Sequence, residues 1–532
     1  MRLFSSIPPT PSGPTVVLDK DNWNDWYTWY TLFNVRVIDK NGKSIHLGGV
    51  KIGRKGMNKG EASTEIPNDV SELDDAYFSL GQDENYYETI ISLGDDFREA
   101  YLRAMRDCAF SLETFEDNMS EPVMHESLLR YVDASRVRQR FHRLATGRVI
   151  LTAYSFDYQF PVDHKALTPP PVLSFAVTPE SLPATNIHVL IGRNGVGKSR
   201  CFDLLARAFL GMPNEDPTKG VGAIVNTAKT GIFGPVQEDP GFAGLVAVSF
   251  SAFDSKGPLT GVNSVAMEEG TAKRYAYIGL VTHAQRDKGD PGAEKSSIAR
   301  IKGPPELSQE FAKSVLACRE GVRLQRWKKA LETLESDPLF AEADVSSLAD
   351  EDELEIEQRA KKLYELLSSG HAIVLLTITR LVELVEEQSL VLIDEPESHL
   401  HPPLLSAFVR TLSDLLISRN GVAIIATHSP VVLQEVPRSC AWKLSRAGHE
   451  ASAERPEIET FGENVSVLTR EIFGLEVTQT GFHRLIAEKA QTRSYESIVS
   501  EFGGQLGAEG RALARALSLL PPTDPSSGDG GD

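Results

Sequence analysis

Cysteine, positive charge and long apolar runs are all scarce in this sequence, and each shortage excludes a class of protein. The 532 residues contain four cysteines and no CxxC pair, so neither a disulfide framework nor a structural zinc site is indicated. No uncharged apolar stretch of about eighteen residues occurs, and the segment 1–14 lacks the apolar run of a signal peptide. These shortages predict a soluble cytoplasmic protein with no membrane partner.

Acidic residues outnumber basic ones, 74 to 55, which gives a formal net charge of −19. This balance excludes a chain that coats nucleic acid over its whole surface. A regional DNA contact stays open through three basic clusters, although each is also consistent with a solvated face. The clusters are Lys51, Arg54, Lys55 and Lys59; Arg136, Arg138, Arg140 and Arg143; and Arg323, Arg326, Lys328 and Lys329.

The N-terminal third mixes strand and helix patterns, and a different pattern follows it. Apolar residues alternate across 31–50 around a turn at 39–42, which predicts a β-hairpin. Residues 95–110 carry apolar side chains at helical spacing, and strand character returns at 148–154. From Asn186 onward, short apolar strands followed by helices predict a covered, largely parallel sheet.

A glycine-rich sequence, GRNGVGKS, joins a predicted strand at 187–191 to a predicted helix that follows it. The pattern GxxxxGK[ST] in this context predicts a phosphate-binding loop. The glycines let backbone N–H groups wrap the phosphates, Lys198 reaches the β- and γ-phosphates, and Ser199 can ligate Mg²⁺. The candidate ATP-binding residues are Gly192, Arg193, Asn194, Gly195, Val196, Gly197, Lys198, Ser199 and Arg200.

Two carboxylates, Asp394 and Glu395, follow a buried-strand run at 389–393. Acidic side chains at the tip of an apolar strand are costly without a cation or a substrate beside them. We therefore predict that Asp394 holds Mg²⁺ and that Glu395 orients or deprotonates the water that attacks the γ-phosphate. A helix start capped by Asp394 is the structural alternative.

A histidine, His428, follows the next apolar strand at 422–426, in the sequence THSP. In an open α/β sheet, a residue at the carboxyl end of a strand lies where ligands bind. Taken alone, His428 would fit a packed or solvent-facing histidine equally well. The two preceding motifs favour a catalytic role as a sensor of the γ-phosphate, with ATP and Mg²⁺ as the cofactors.

The motifs GRNGVGKS, LLSSGH, LVLIDEPESHLHP and IIATHSP occur in this order, and the sequence resembles ABC ATPases over about 186–444. Within that superfamily, the phosphate loop and DEPESHLHP are similar to the branch of SMC, RecF and OLD-like proteins and not to membrane-transporter motors. The resemblance implies the ABC head fold and Mg-ATP as ligand. It also implies a homodimer or higher homo-oligomer whose heads sandwich ATP.

The sequence LLSSGH takes the place of the ABC signature motif. By the resemblance, Ser368, Ser369 and Gly370 act in trans and contact the nucleotide held by the partner subunit. His371 stands where the family has Gln or Glu. From the residues alone, the same segment is an N-cap that opens a helix. Gln285 is a candidate for the family's Q-loop glutamine.

The predicted fold class is α/β, with an ABC-ATPase head, a mixed and largely parallel sheet, flanking helices and an antiparallel β lobe. A short helical insertion and an N-terminal β/helical module are added to this head. The predicted divisions are an N-terminal β-hairpin and helical module at 1–147, the phosphate-loop half of the head at 148–304, the helical insertion at 305–366, the half with the signature and the hydrolytic residues at 367–445, a C-terminal α/β extension at 446–520 and a disordered tail at 521–532.

Two absences narrow the resemblance. The insertion is about sixty residues long, without the extended coiled coil or hook of SMC proteins, and no DxD pair of an OLD-type Toprim nuclease follows His428. This compact head with a short helical arm resembles the stand-alone ATPases of bacterial anti-phage operons, of the Septu PtuA type and less closely of the PARIS AriA type. That resemblance implies a slow ATPase that controls a partner effector nuclease encoded nearby. A RecF-like or SMC-like DNA-repair ATPase that binds DNA ends or gaps is the alternative.

Overall fold

The computed structural model describes residues 2–4, 15–21, 29–38, 44–57, 64–147, 151–163, 165–227, 230–231, 234–235, 241–250, 259, 274–284, 298–351, 355–479 and 481–519. Five predictions fall wholly or partly outside these ranges: the hairpin turn at 39–42, Lys59 of the first basic cluster, residues 148–150 of the strand predicted at 148–154, the Q-loop candidate Gln285 and the tail at 521–532. Among the helices of these ranges, none combines the length and the apolar character that a membrane crossing requires.

The N-terminal module is a five-stranded sheet covered by short helices. Its strands are β1 (Arg2–Phe4), β2 (Thr15–Lys20), β3 (Leu32–Ile38), β4 (Ser44–Arg54) and β5 (Tyr77–Gly81), paired in this order. Its helices are α1 (Glu84–Ser92), α2 (Asp95–Ala104), α3 (Leu112–Asp117), α4 (Ala134–Arg136) and α5 (His142–Ala145), with π-helical turns at Met124–Leu128 and Val137–Phe141. β1 and β2 are parallel, whereas β3 and β4 are antiparallel, which confirms the predicted pairing of the hairpin strands.

The helix predicted at 95–110 ends at Ala104, earlier than expected. Arg106 adopts a left-handed backbone with φ of 51°, which interrupts the helical hydrogen bonding. Asp107 and Cys108, beyond this turn, are buried in the same core. The predicted helix was too long because the residues of the turn are buried like those of the helix, so the apolar pattern does not stop where the helix ends.

The remaining strands are β6 (Tyr154–Gln159), β7 (Val172–Val177), β8 (Ile187–Ile191), β9 (Ala223–Asn226), β10 (Thr230–Gly231), β11 (Gly234–Pro235), β12 (Gly244–Ser249), β13 (Arg274–Gly279), β14 (Val281–Ala284), β15 (Ile298–Ile301), β16 (Leu390–Asp394), β17 (Val422–Thr427), β18 (Ala441–Ala447) and β19 (Glu450–Glu454). Seven of them form the central sheet in the order β13-β12-β16-β17-β8-β18-β19, in which only the pair β18 and β19 is antiparallel. A separate antiparallel sheet has the order β7-β6-β9. The described strands thus confirm the α/β class, the largely parallel sheet and the antiparallel lobe. Of the strand predicted at 148–154, only Tyr154 lies in a strand among the described residues, as the first residue of β6.

The helices of this second part are α6 (Lys198–Leu210), α7 (Pro304–Cys318), α8 (Arg323–Leu334), α9 (Pro338–Ala343), α10 (Ile356–Leu366), α11 (Ser369–Leu384), α12 (Pro402–Ser418), α13 (Pro430–Leu433), α14 (Val465–Gln479), α15 (Gly481–Ala490), α16 (Tyr495–Glu501) and α17 (Ala508–Ser518). Short 3₁₀ turns lie at Val345–Asp350, Pro396–His399 and Arg438–Cys440. The insertion, α7 to α10, shares one core with the central sheet, since Phe311 and Trp327 are buried in the same cluster as Val246 and Leu375. The helical insertion, predicted as a short arm, therefore packs onto the head, because its apolar faces are buried there.

A buried cluster of charged side chains joins the N-terminal module to the head. Glu84 of α1 is 1% exposed and forms ion pairs with Arg136, Arg140 and Arg419. Arg136 also pairs with Glu386, which follows α11. Burial, the largest influence, would raise the pKa of Glu84, but the three guanidinium groups together outweigh it and lower that pKa to about 2.

Ion pairs, some buried and some exposed, involve most residues of the predicted basic clusters. In the first cluster, the buried Lys51 donates a hydrogen bond to the carbonyl oxygen of Ser127 at 2.8 Å. Arginines of the other two clusters are paired with acidic residues, and a DNA contact through them stays a prediction. The further pairs are Arg138 with Glu116, Arg143 with Glu387, Arg323 with Asp83, Arg326 with Glu88 and Lys328 with Asp350.

Candidate nucleotide-binding site

The phosphate loop connects β8 to α6, and its backbone explains its glycines. Gly195 and Gly197 have φ of +85° and +103°, in the left-handed region that glycine adopts without steric cost. A Cβ atom on Gly192 would lie 2.5 Å from a carbonyl oxygen of β18, so a side chain there would displace that strand. The ammonium of the buried Lys198 donates to the carbonyl oxygens of Gly192 and Arg193 at 2.9 and 3.1 Å.

The carboxyl ends of β8, β17 and β16 meet beside this loop because the three strands are parallel neighbours. Ile191 of β8 pairs with Thr427 of β17, and Ala426 of β17 pairs with Asp394 of β16. On the far side of β16, Ser249 at the end of β12 lies opposite Asp394. The sheet order therefore brings the three predicted motifs to one edge of the sheet.

Lys198, Glu395 and His428 form a continuous row at this edge. The Nζ atom of Lys198 and the Nδ1 atom of His428 each lie 3.7 Å from Oε1 of Glu395. Glu395 has a left-handed backbone with φ of 46°, and its N–H donates to the carbonyl oxygen of Ala426 at 2.8 Å. This conformation is uncommon outside glycine, and strained backbone of this kind is concentrated at functional sites. The turn places the carboxylate between the lysine and the histidine.

Glu397 holds the histidine segment and was missed by the sequence analysis. Its Oε1 accepts hydrogen bonds from the hydroxyl of Thr427 at 2.6 Å and from the N–H of His428 at 2.7 Å. The Nδ1 atom of His428 lies 3.0 Å from the same oxygen. Glu397 thus links the turn after β16 to the turn after β17. The signal available in the sequence was a second acidic residue close behind Glu395, within DEPE.

The two predicted magnesium ligands, Ser199 and Asp394, line one cavity of about 340 Å³ together with Ser249. The hydroxyl of Ser249 is buried and makes no hydrogen bond to any described residue. Hydroxyl and carboxylate oxygens are the ligands that Mg²⁺ prefers, so this donor set fits the ion. When bound, Mg²⁺ supplies neutralisation of the charge on the β- and γ-phosphates. Ser249 could not be identified from the sequence, since its signal is only its position at the end of a strand.

A larger cavity, of about 770 Å³, opens beside the phosphate loop. It is lined by Arg193, Asn194, Gly195, Val196, His428, Arg446, Gly448 and Phe473. Arg446 and Phe473 add a cation and an aromatic face, which suit a phosphate and a base, and neither was predicted. Arg200, which was predicted, instead faces the cavity that Ser199 and Asp394 line.

The signature residues are not part of either cavity. Ser368 is the N-cap of α11, and both Ser368 and Ser369 are exposed. Gly370 is buried, and a Cβ atom there would lie 2.5 Å from the carbonyl oxygen of His399. Ser368 lines a different cavity, of about 440 Å³, beside α10. Within one chain, the predicted in-trans residues are therefore separate from the phosphate loop.

His371 stands where the ABC signature has Gln or Glu. It is 3% exposed, and both nitrogens of its ring have polar partners. Its Nδ1 atom lies 2.7 Å from the hydroxyl oxygen of Ser368, and its Nε2 atom lies 3.1 Å from Oδ1 of Asp337. Asp337 is the N-cap of α9 in the insertion. The histidine thus connects the signature to the insertion.

Comparison with known proteins adds one family model and one full-length relative. Residues 309–434 match the family described as "AAA domain, putative AbiEii toxin, Type IV TA system". "Protein ea59" of Escherichia phage lambda is 40% identical over 527 residues, which cover 94% of each chain. The solved structure of cbiO1 from Clostridium perfringens, "Part of the ABC transporter complex cbiONQ", is 15% identical with a TM-score of 0.28, and the match covers 55% of this chain and 84% of that chain. The family match includes the signature, Asp394, Glu395 and His428.

Proposed function

Because the chain belongs to the family of protein ea59 of Escherichia phage lambda and carries an ATPase domain of the AAA/ABC type, we propose that it binds Mg-ATP and hydrolyses it between two copies of the head. The observation that carries this proposal is the row Lys198, Glu395 and His428 at the carboxyl edge of the parallel sheet. A phosphate loop, a carboxylate and a histidine at one edge match the requirements of phosphoryl transfer to water.

Each residue of the row has a separate task. Lys198 exchanges its loop carbonyls for oxygens of the β- and γ-phosphates, since a charged donor binds phosphate more strongly than it binds a carbonyl. Glu395 orients the attacking water and accepts its proton, because its carboxylate lies within 4 Å of the lysine that marks the γ-phosphate position. His428, held by Glu397, contacts the γ-phosphate and reports its presence to the turn after β17.

A second chain completes the site in this proposal. Ser368 and Ser369 are exposed where α11 begins, and the N-terminus of a helix favours an anion. These residues lie outside the cavity that contains the phosphate loop, so they are free to contact the nucleotide of a partner copy. The proposed assembly is a homodimer, or a higher homo-oligomer, closed by ATP.

We propose that this assembly acts in anti-phage defence, as an ATPase that controls a partner effector nuclease. Two facts support this: the relative is a phage protein, and the description of the matched family reads "AAA domain, putative AbiEii toxin, Type IV TA system". The test is to express the chain with its neighbouring genes and to count phage plaques. The native chain should lower the plaque count and the Lys198→Ala variant should not; equal counts would contradict the defence role and leave the ATPase proposal standing.

Replacing Lys198 with Ala is expected to weaken ATP binding about 10- to 100-fold, since a buried hydrogen bond to a charged group contributes about 1.5–3 kcal/mol. Titration with a fluorescent ATP analogue measures the effect. Lys219→Ala is the control, because this exposed lysine pairs with Asp216 away from the loop. Unchanged affinity in the Lys198→Ala protein would show that the loop does not bind phosphate.

A Ser369→Glu substitution is expected to leave ATP binding intact and to abolish ATP-dependent dimerisation, because a carboxylate repels the γ-phosphate brought by the partner. Turnover should fall at least about 10-fold, as one like-charge contact of this kind costs over 1 kcal/mol. Light scattering with a non-hydrolysable ATP analogue gives the mass of the complex. Ser497→Glu, on the exposed face of α16, controls for added charge. A normal dimer in the Ser369→Glu protein would reject the in-trans role.

A further inference from the structure

We propose that Asp337, His371 and His401 form a binding site for a divalent transition-metal ion of the zinc class. The three residues come from three separate segments: Asp337 caps α9, His371 lies in the first turn of α11, and His401 caps α12. One potential ligand atom from each lies within 4.8 Å of the others. Two imidazoles and one carboxylate are a donor set found in zinc proteins, with the fourth position open to water.

The distances are close to those that one ion requires. The Nε2 atom of His371 lies 3.1 Å from Oδ1 of Asp337, and the Nε2 atom of His401 lies 3.9 Å from Oδ2 of the same carboxylate. Ligand atoms held at about 2.0–2.2 Å from a tetrahedral zinc ion lie about 3.3–3.6 Å apart. The ligand atoms of the two histidines lie within 4.8 Å of each other, so binding requires the exposed His401 side chain to move closer.

The orientation of His371 is set by groups outside the donor set. Its Nδ1 atom lies 2.7 Å from the hydroxyl of Ser368, and its ring packs edge-on against Phe340 at 4.9 Å between ring centroids. Histidines that bind metals commonly use the second ring nitrogen in a hydrogen bond of this type, which fixes the tautomer and the ring direction. Nε2 is thereby aimed at Asp337.

Two of the proposed ligands are buried, and the third is open to solvent. The side chains of Asp337 and His371 are 4% and 3% exposed, so water competes little with an ion for these ligands, whereas His401 is 51% exposed and provides the route of entry. The cavity beside α10, lined by Ser368 and His371, borders the site. This arrangement differs from a surface group of acidic residues, because the ligands are two imidazoles and one buried carboxylate.

The competing arrangement contains no ion. Asp337 accepts a hydrogen bond from Nε2 of His371, whereas Nε2 of His401, 3.9 Å from Oδ2 of Asp337, is too distant for one. In that state, Nδ1 of His401 accepts a bond of 3.3 Å from the N–H of Leu404, which leaves the ring proton on Nε2. Metal binding requires this proton to move to Nδ1, and the long bond from Leu404 is then given up. The two arrangements are therefore mutually exclusive and can be separated by experiment.

A bound ion would act on the signature itself. With Nε2 of His371 on the metal, Nδ1 carries the proton and donates to Ser368, so that the hydroxyl proton of Ser368 can point outward to an anion. The ion would also tie α9 of the insertion to α11 and α12 of the head. The consequence for Ser368 rests on the proposed in-trans function, but the metal site does not.

The test uses the full chain, treated with a chelator and then dialysed against Zn²⁺ with excess Mg²⁺ and no nucleotide. We expect one zinc ion per chain by elemental analysis, and a tetrahedral visible spectrum on titration with Co²⁺. His401→Ala should bind Zn²⁺ at least 100-fold more weakly, and this variant keeps its fold because the side chain is half exposed. His371→Gln and Asp337→Asn should lose the ion as well.

His125→Ala, in the N-terminal module, is the matched control and should retain the ion. Equal zinc content in the native and His401→Ala proteins, or no stoichiometric zinc in the native protein, would overturn the proposal and identify the cluster as hydrogen bonds alone. A native chain that binds zinc but never hydrolyses ATP would leave this site intact and reject only the proposed function.

Discussion

A Glu395→Gln protein is expected to bind ATP normally and to hydrolyse it about 10²- to 10⁴-fold more slowly, the usual contribution of a positioned general base. The amide keeps the size of the side chain and its place between Lys198 and His428, but it cannot accept a proton from water. Loss of the negative charge 3.7 Å from Lys198 also removes a repulsion against the γ-phosphate. The closed dimer should therefore accumulate in the presence of ATP.

Single-turnover hydrolysis and light scattering together measure this expectation. The phosphate release rate should fall while the mass of the ATP-bound species rises to that of a dimer. Glu496→Gln, an exposed change on α16, controls for the substitution itself. Glu397→Gln gives a contrast: Glu397 contacts His428 and is assigned no proton transfer, so its effect should be smaller. Normal turnover in the Glu395→Gln protein would refute the assigned role.

The parts of the site that are formed by residues adjacent in the chain could be predicted from the sequence. The phosphate loop is a continuous motif directly after an apolar strand, and so is the pair Asp394 and Glu395. The end of each strand therefore fixes where its motif lies. His428 followed by the same reasoning. Because β16, β17 and β8 are parallel neighbours, the three motifs lie at the same edge of the sheet. Their proximity could be predicted from the rule that ligands bind at the carboxyl ends of parallel strands.

Contacts between distant segments could not be predicted. Ser249 becomes a neighbour of Asp394 only because β12 and β16 pair across about 140 residues of sequence. The arginines at 136–143 and 323–326 read as basic clusters because most of their acidic partners are distant in the chain, by up to 250 residues for Arg136 and Glu386. His371, which stands where the ABC signature has Gln or Glu, contacts Asp337, a residue with no motif around it.

The charged cluster around Glu84, at the joint between the two modules, should contribute strongly to the stability of the fold. Glu84→Ala is expected to lower the free energy of unfolding by about 3–5 kcal/mol, the range for removing one partner of a buried ion pair. The reason is that Arg136, Arg140 and Arg419 all pair with this carboxylate. Each keeps one other acidic partner, but loss of the shared carboxylate adds one uncompensated positive charge to the buried cluster. Chemical denaturation, followed by far-UV circular dichroism and by tryptophan fluorescence, measures the change for both modules.

Glu116→Ala is the matched control, since Glu116 pairs with Arg138 on the surface, where water and salt screen the pair. Its effect should be much smaller than that of Glu84→Ala. Similar stability of the two variants would mean that the joint does not depend on the cluster.

The same cluster predicts how stability depends on pH. The pKa of Glu84 is about 2 in the folded chain and about 4.5 in an ordinary environment, so the folded state favours the ionised form. The stabilisation is complete above about pH 4.5 and is lost as the pH falls through the folded value, because the carboxyl must then bind a proton. A Glu84→Gln protein lacks this titration, so its stability should fall less steeply than that of the native chain between pH 4.5 and 2. Parallel slopes for the two proteins in this interval would show that other carboxylates determine the acid limit.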